Sequence, residues 1–194
     1  MDMATMRIRV RRDLVDEGSP SRFSDDELER AVNRAVAEFS RYLPHQQKSL
    51  INTVSNSDEL DISGLSNLIS VSRVEFPVGN MPRTYTRFET LSGTIRLLEA
   101  VGDGNNCYVY WNTVHTLNTE GSTIPAHLED LIALGATAFA VMSIAQAKID
   151  TNNPGGTEVD DDYQRWAVNR LGKFEKELSK LSSKVRTGQL YPAD

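Results

Sequence analysis

The sequence predicts a mixed α+β fold, mainly helical, in which a helical bundle formed by both ends of the chain carries a β-rich insertion. Apolar residues recur with helical spacing near each end, whereas short β-rich runs alternate with turn residues in the middle. Helices with one apolar face must pack together to bury it. We therefore expect a bundle from residues 1–45 and 119–185, an antiparallel sheet or small sandwich from 46–118, and a flexible tail from 186–194.

The composition of the 194 residues is that of a globular protein, with 39% hydrophobic and 25% charged residues. The net charge of −6 is opposite to the basic excess of proteins that hold nucleic acid through its phosphates. Cys107 is the single cysteine, which excludes an internal disulfide and a multi-cysteine zinc site. We expect no signal peptide, and the alanine-rich run 131–147 is short for a membrane span, so it predicts a buried helix.

Two helices are predicted before residue 45. The first covers residues 7–16. The second begins at Ser24, which is expected to be its N-cap, with Glu27 completing a capping box. Apolar residues then recur on one face, and Pro44 ends the helix.

The middle of the chain predicts short strands separated by turns rich in glycine, asparagine and proline. The run of alternating aromatic residues from Cys107 is the strongest strand signal in the chain. The expected strands are Ser49–Val54, Leu68–Phe76, Arg83–Phe88, Thr94–Leu98 and Cys107–Leu117.

Two further helices are predicted after Thr123, which is expected to cap the first of them. That helix runs to about Ile149 and is apolar on most sides, so it should be the most buried one. The last helix, from about Asp160 to Lys184, carries an apolar stripe with spacings of three and four. Its members are Tyr163, Trp166, Ala167, Leu171, Phe174, Leu178, Leu181 and Val185.

Catalytic chemistry has little support in the sequence. His45, His115 and His127 lie far apart and have no partner at metal-ligand spacing. The chain contains no nucleophile elbow, no phosphate-binding glycine loop and no dinucleotide fingerprint. We expect no catalytic residues, no metal and no cofactor.

Two alternatives stay open. The stretch 150–161 partly matches a calcium-binding loop, but Pro154 replaces an oxygen ligand and Asp161 replaces the usual bidentate glutamate, so a metal-dependent enzyme is the weaker reading. The aromatic run Tyr108-Val109-Tyr110-Trp111 could instead be the platform of a β-type ligand-binding module, although alternating aromatic residues more often fill one face of a sheet.

The helical ends carry a resemblance. The segment Arg12–Asp16, followed by Arg22-Phe23-Ser24-Asp25-Asp26-Glu27-Leu28 and by Phe39–Pro44, resembles the start of head–tail connector proteins (adaptor, or head-completion, proteins) of tailed bacteriophages. Ile124–Leu128, which opens the long alanine-rich helix, is similar as well, as is the final amphipathic helix. The resemblance covers the helical ends and leaves the role of the β insertion undefined.

The resemblance implies a non-enzymatic structural protein of the virion neck, made in the host cytoplasm. Such proteins form a homo-oligomeric ring, usually of twelve copies, which docks on the portal protein, extends the DNA channel and receives the tail or neck proteins. DNA would pass through without sequence-specific binding, and the negative charge would suit a channel wall to which DNA does not adhere. No membrane is implied.

Two sets of residues are the predicted partner-binding sites. Leu190, Tyr191 and Pro192 place three apolar groups on the tail, where nothing nearby in sequence buries them, as in a docking peptide. Charged residues near the first helix are candidates for pairs between subunits, which set register more than affinity. These are Arg11, Arg12, Asp25, Asp26 and Glu29.

Overall fold

The computed structural model describes residues 1–55, 57–98, 106–150 and 157–189. Over these residues the chain has four α-helices and two antiparallel sheets, which confirms the predicted mixed α+β fold. The chain divides into two compact units: a helical unit, Met1–Leu43 with His115–Asp194, and a β unit, Pro44–Val114.

The helical unit contains α1 (Met3–Asp13), α2 (Asp25–Tyr42), α3 (Glu129–Asp150) and α4 (Thr157–Gln189). The start of α2 is as predicted: Ser24 is the N-cap, and both hydrogen bonds of the capping box with Glu27 are present. The first helix begins earlier than expected, because the carboxylate of Asp2 accepts a hydrogen bond from the Thr5 amide at 2.8 Å and caps it.

The other two helices also depart from their expected bounds. Thr123 does not cap α3; its hydroxyl accepts from the Thr116 amide at 2.9 Å, and a 3₁₀ turn, Ala126–Leu128, precedes the helix. The last helix extends through Gln189, so residues 186–189, predicted to belong to the tail, are helical. A single glycine such as Gly188 costs a helix only about 1 kcal/mol, and no proline intervenes before Gln189.

The core of the helical unit takes side chains from all four helices, and α3 has most of its described residues buried. Gly135 of α3 lies beneath the ring of Phe174 of α4, so close that a methyl group at Gly135 would lie 2.8 Å from the ring. The segment Ala126–Ile144 is long and apolar enough to cross a membrane by composition, but 56% of it is buried in the unit, as for a core helix. The largest fully buried side chains are Met6, Val10, Leu28, Val32, Phe39, Ile132, Phe174 and Leu178.

The β unit consists of a four-stranded sheet with the order β1-β7-β3-β4 and a three-stranded sheet with the order β2-β6-β5. The predicted strand Arg83–Phe88 is in fact two strands that belong to different sheets, and the last strand ends at Thr113 instead of Leu117. The strands are β1 (His45–Asn52), β2 (Glu59–Asp61), β3 (Leu68–Glu75), β4 (Tyr85–Thr86), β5 (Phe88–Leu91), β6 (Thr94–Leu97) and β7 (Asn106–Thr113).

Side chains from both sheets of the β unit form one core. Along β7 the residues alternate: Cys107, Val109 and Trp111 are buried, whereas Tyr108 and Tyr110 lie on the opposite face. Burial raises the pKa of the Cys107 thiol to about 11, so the thiol stays protonated at neutral pH.

Candidate interaction surfaces

The connection between α1 and α2 has an unusual backbone. The Asp16 amide donates to the Arg11 carbonyl and the Val15 amide donates to the Arg12 carbonyl, which is the pattern of a Schellman helix end. That pattern places Val15 in the left-handed region, with a φ of 52°, where glycine is the usual residue. A β-branched side chain is strained there, and that of Val15 is nevertheless 83% exposed.

Asp16 fixes the rest of this connection. Its carboxylate is buried and accepts hydrogen bonds from the amides of Arg22 and Phe23, at 2.6 and 3.2 Å, and from the guanidinium of Arg11 at 3.0 Å. A buried carboxylate needs such donors to offset the loss of water. The loop is therefore held rigidly in place next to the start of α2.

A cleft of about 850 Å³ opens beside this connection, within the helical unit. We call it the junction cleft. Its walls are mostly apolar and come from the connection, from α3 and from α4. The apolar residues that line it are Leu14, Val15, Phe23, Val141, Ile144, Tyr163 and Trp166.

Two arginines border the junction cleft. Arg22 donates to the Tyr163 hydroxyl at 3.2 Å, and Arg170 lies over the Trp166 ring at 4.7 Å from its centroid. The Nε of Arg170 is buried and has no hydrogen-bond partner within the part of the chain that the structure describes. Asp13 is 3.8 Å from the other end of that guanidinium. The surface is thus apolar, with two arginines and the carboxylate of Asp13 at its border.

Of the charged residues predicted for subunit contacts, Arg11 and Asp25 pair with each other within a single chain. Arg11 pairs with Asp25 at 2.7 Å, and Arg7, which was not among the predicted residues, lies 3.3 Å from Asp25 and 3.9 Å from Glu29. Arg12 pairs instead with Glu17 at 3.1 Å, and Asp26 is exposed.

The pairs that Arg7 and Arg11 make with Asp25 tie α1 to the start of α2. The hydrogen bond from Arg11, reinforced by Arg7, lowers the pKa of Asp25. A part for these residues in contacts between subunits stays a prediction. The predicted docking residues Leu190, Tyr191 and Pro192 lie outside the described residues.

A second surface lies in the β unit, on the outer face of the four-stranded sheet. The ammonium group of Lys48 lies 3.3 Å from the centre of the Tyr108 ring and 5.3 Å from that of Tyr110. The Tyr110 hydroxyl donates to the buried carboxylate of Glu75. Because Lys48 already covers the ring face of Tyr108, and Trp111 is buried on the other side, this face offers less of an aromatic platform than the sequence indicated.

The remaining residues considered for chemistry are dispersed. His115 is buried against the Phe39 ring, at 5.1 Å between centroids, and its Nδ1 is 3.0 Å from the Thr123 hydroxyl. No group of three potential metal ligands occurs among the described residues. Of the stretch 150–161, which partly matches a calcium-binding loop, residues 151–156 lie outside them.

The junction cleft was not found from the sequence. The apolar stripe predicted for the last helix includes Tyr163 and Trp166, which are 41% and 37% exposed and line the cleft. Their aromatic character was the available signal, since large exposed aromatic residues are typical of contact surfaces.

Comparison with protein-family models and with curated proteins finds no match for this chain.

Proposed function

We propose that this chain is a structural virion protein of a tailed bacteriophage: a head-to-tail adaptor without enzymatic activity. Copies would assemble as a ring, of twelve by the resemblance, docked on the portal protein in the neck. The ring would extend the DNA channel and provide the attachment site for tail or neck proteins.

One observation supports this proposal most. The resemblance to adaptor proteins lies in the segments 12–44 and 124–128, which are far apart in sequence, and all of these residues except Pro44 belong to the same helical unit. The finer architecture that we propose is accordingly a bundle made by the two ends of the chain, with the β unit as an outgrowth available to a neighbouring protein.

The surface of the helical unit also suits assembly. The junction cleft leaves aromatic and aliphatic side chains exposed beside two arginines, a composition typical of interfaces. The C-terminal residues Leu190, Tyr191 and Pro192 would supply the docking peptide. Repeated around a ring, weak contacts of this kind become strong through avidity.

The two alternatives have less support. A metal-dependent enzyme would require a ligand cluster, and a β-type ligand-binding module would require an open aromatic platform, which Lys48 reduces. Titration with calcium would detect a metal site, and titration with oligosaccharides would detect a ligand-binding module.

Retention on portal-containing heads tests the proposal. Purified protein should remain on isolated heads that carry the portal and should not remain on heads assembled without it. Native mass spectrometry of the released complex should then give a single ring stoichiometry. Equal retention on both kinds of head, or none on either, would refute the adaptor role.

A further inference from the structure

We infer that the junction cleft receives the C-terminal segment 190–194 of a second copy of this chain. The inference deepens the proposed function, because it rests on the assembly of identical copies and names the partner of the C-terminal segment. Each copy would thus offer the junction cleft to one neighbour and its own C-terminal segment to another.

The exposure of apolar groups in the cleft lowers the stability of the folded chain. Val15 stands in a left-handed conformation that glycine or asparagine would adopt with less strain, and its side chain gains almost no burial in return. Tyr163 and Trp166 are exposed as well, at 41% and 37%, whereas the phenylalanine rings of the same unit are buried. Strain that brings an apolar side chain to a surface is typical of a contact site.

The segment 190–194 has the composition that such a cleft accepts. Leu190, Tyr191 and Pro192 are apolar and are followed, after one alanine, by the carboxylate of Asp194. Leucine and tyrosine would cover the exposed rings. The acidic residue would meet the cationic border formed by Arg22 and Arg170, whose side chains are 53% and 27% exposed.

The segment cannot reach the cleft of its own chain. Trp166 lies near the start of α4, and Gln189 is the last residue of that helix. Because a helix rises 1.5 Å per residue, Trp166 and Gln189 are about 35 Å apart. Five extended residues span at most about 18 Å. The occupant must therefore come from another copy.

A contact between the C-terminal segment of one copy and the junction cleft of the next joins two different surfaces, so it is heterologous. Repetition of such a contact closes into a ring when the rotation between copies permits, and otherwise extends into a filament. The inferred contact is therefore of the kind that a ring requires, whereas a contact between identical surfaces would stop at a dimer.

Peptide binding tests the inference. A fluorescently labelled peptide of residues 186–194 is titrated with the full-length chain, and anisotropy is measured. We expect saturable binding that weakens at least about tenfold with Val15→Asp, which adds a carboxylate to the cleft at a backbone position that aspartate tolerates. A peptide with Leu190→Ser and Tyr191→Ser should not bind.

Val168→Asp is the matched control. Val168 is an equally β-branched residue of α4, 51% exposed and outside the cleft lining, so the same new charge there should leave binding unchanged. Circular dichroism of each variant confirms folding. If Val15→Asp proves unfolded, Trp166→Ser takes its place.

The outcomes separate this inference from the adaptor role. Absence of saturable binding, or equal loss in both aspartate variants, overturns the inference. If the peptide does not bind the chain, but deletion of 190–194 abolishes retention on portal-containing heads, the segment docks on the portal and only the adaptor role survives. If the peptide binds and heads never retain the protein, the adaptor role fails and the contact between copies stands.

Discussion

Val15 stands at the position after α1 where a helix end of this type usually carries glycine. Replacing it with asparagine relieves the left-handed strain and removes little packing, since the side chain is 83% exposed. We expect Val15→Asn to raise the free energy of unfolding by about 1 kcal/mol, measured by urea denaturation. Val168→Asn is the control: valine and asparagine have similar helix propensities, so no gain is expected there. Destabilisation by Val15→Asn would mean that the valine side chain is held by contacts of its own.

Among the helices, the packing of α3 against α4 depends on the absence of one methyl group. Gly135→Ala would place a carbon 2.8 Å from the buried ring of Phe174, and we expect it to destabilise the chain by about 1–3 kcal/mol, although alanine is the better helix former. Gly172→Ala in α4 meets nothing within 4 Å and should stabilise by up to about 1 kcal/mol. Thermal unfolding of the pair compares the two effects, and a stabilising Gly135→Ala would show that the helices can separate freely.

The first turn of α2 should make stability depend on pH. The hydrogen bond from Arg11 and the charge of Arg7 lower the pKa of Asp25 from its ordinary 3.8, and the hydrogen bond from the Ser24 amide lowers that of Glu27 from 4.5. Carboxylates with lowered pKa values stabilise the fold above these ordinary values, and the contribution is lost as the pH falls through the lowered ones.

Melting temperatures of the chain and of Asp25→Asn should therefore differ at pH 6 and converge towards pH 2. The substitution keeps the side-chain shape and removes the charge. A constant difference across this range would indicate that Asp25 acts through packing and not through its ion pairs.

Some elements could be predicted because their signal is local. The capping box of Ser24 and Glu27 marks the start of α2, and the alternation after Cys107 marks β7. The strand β2 was missed, because in its three residues only Leu60 is apolar. The junction cleft could not be predicted, since the conformation of Val15 contradicts the preference of valine and is imposed by the hydrogen bonds around it.

For the whole molecule, the chain leaves the helical unit after α2 and re-enters it at His115, and these two points of the helical unit are close together. The Ser40 hydroxyl near the end of α2 accepts a hydrogen bond from the His115 amide at 2.9 Å, and the rings of Phe39 and His115 are in contact. We expect that replacing residues 45–113 with a short glycine–serine linker leaves the helical unit folded, because the two ends to be joined already meet. Circular dichroism and a cooperative thermal transition check this, with Phe39→Ala in the shortened chain as a control that should lower its melting temperature. A shortened chain without cooperative unfolding would refute the expectation.

The discontinuous helical unit also affects how the protein is made. On the ribosome α1 and α2 emerge first, yet α3 and α4, which complete their shared core, follow only after the roughly 70 residues of the β unit. At a synthesis rate of about 5–20 residues per second, the apolar faces bearing Met6, Val32 and Phe39 would wait several seconds for their partners. During that interval the apolar faces of α1 and α2 are exposed on the nascent chain. A chaperone that binds short apolar segments would therefore bind these two helices before the β unit has left the exit tunnel.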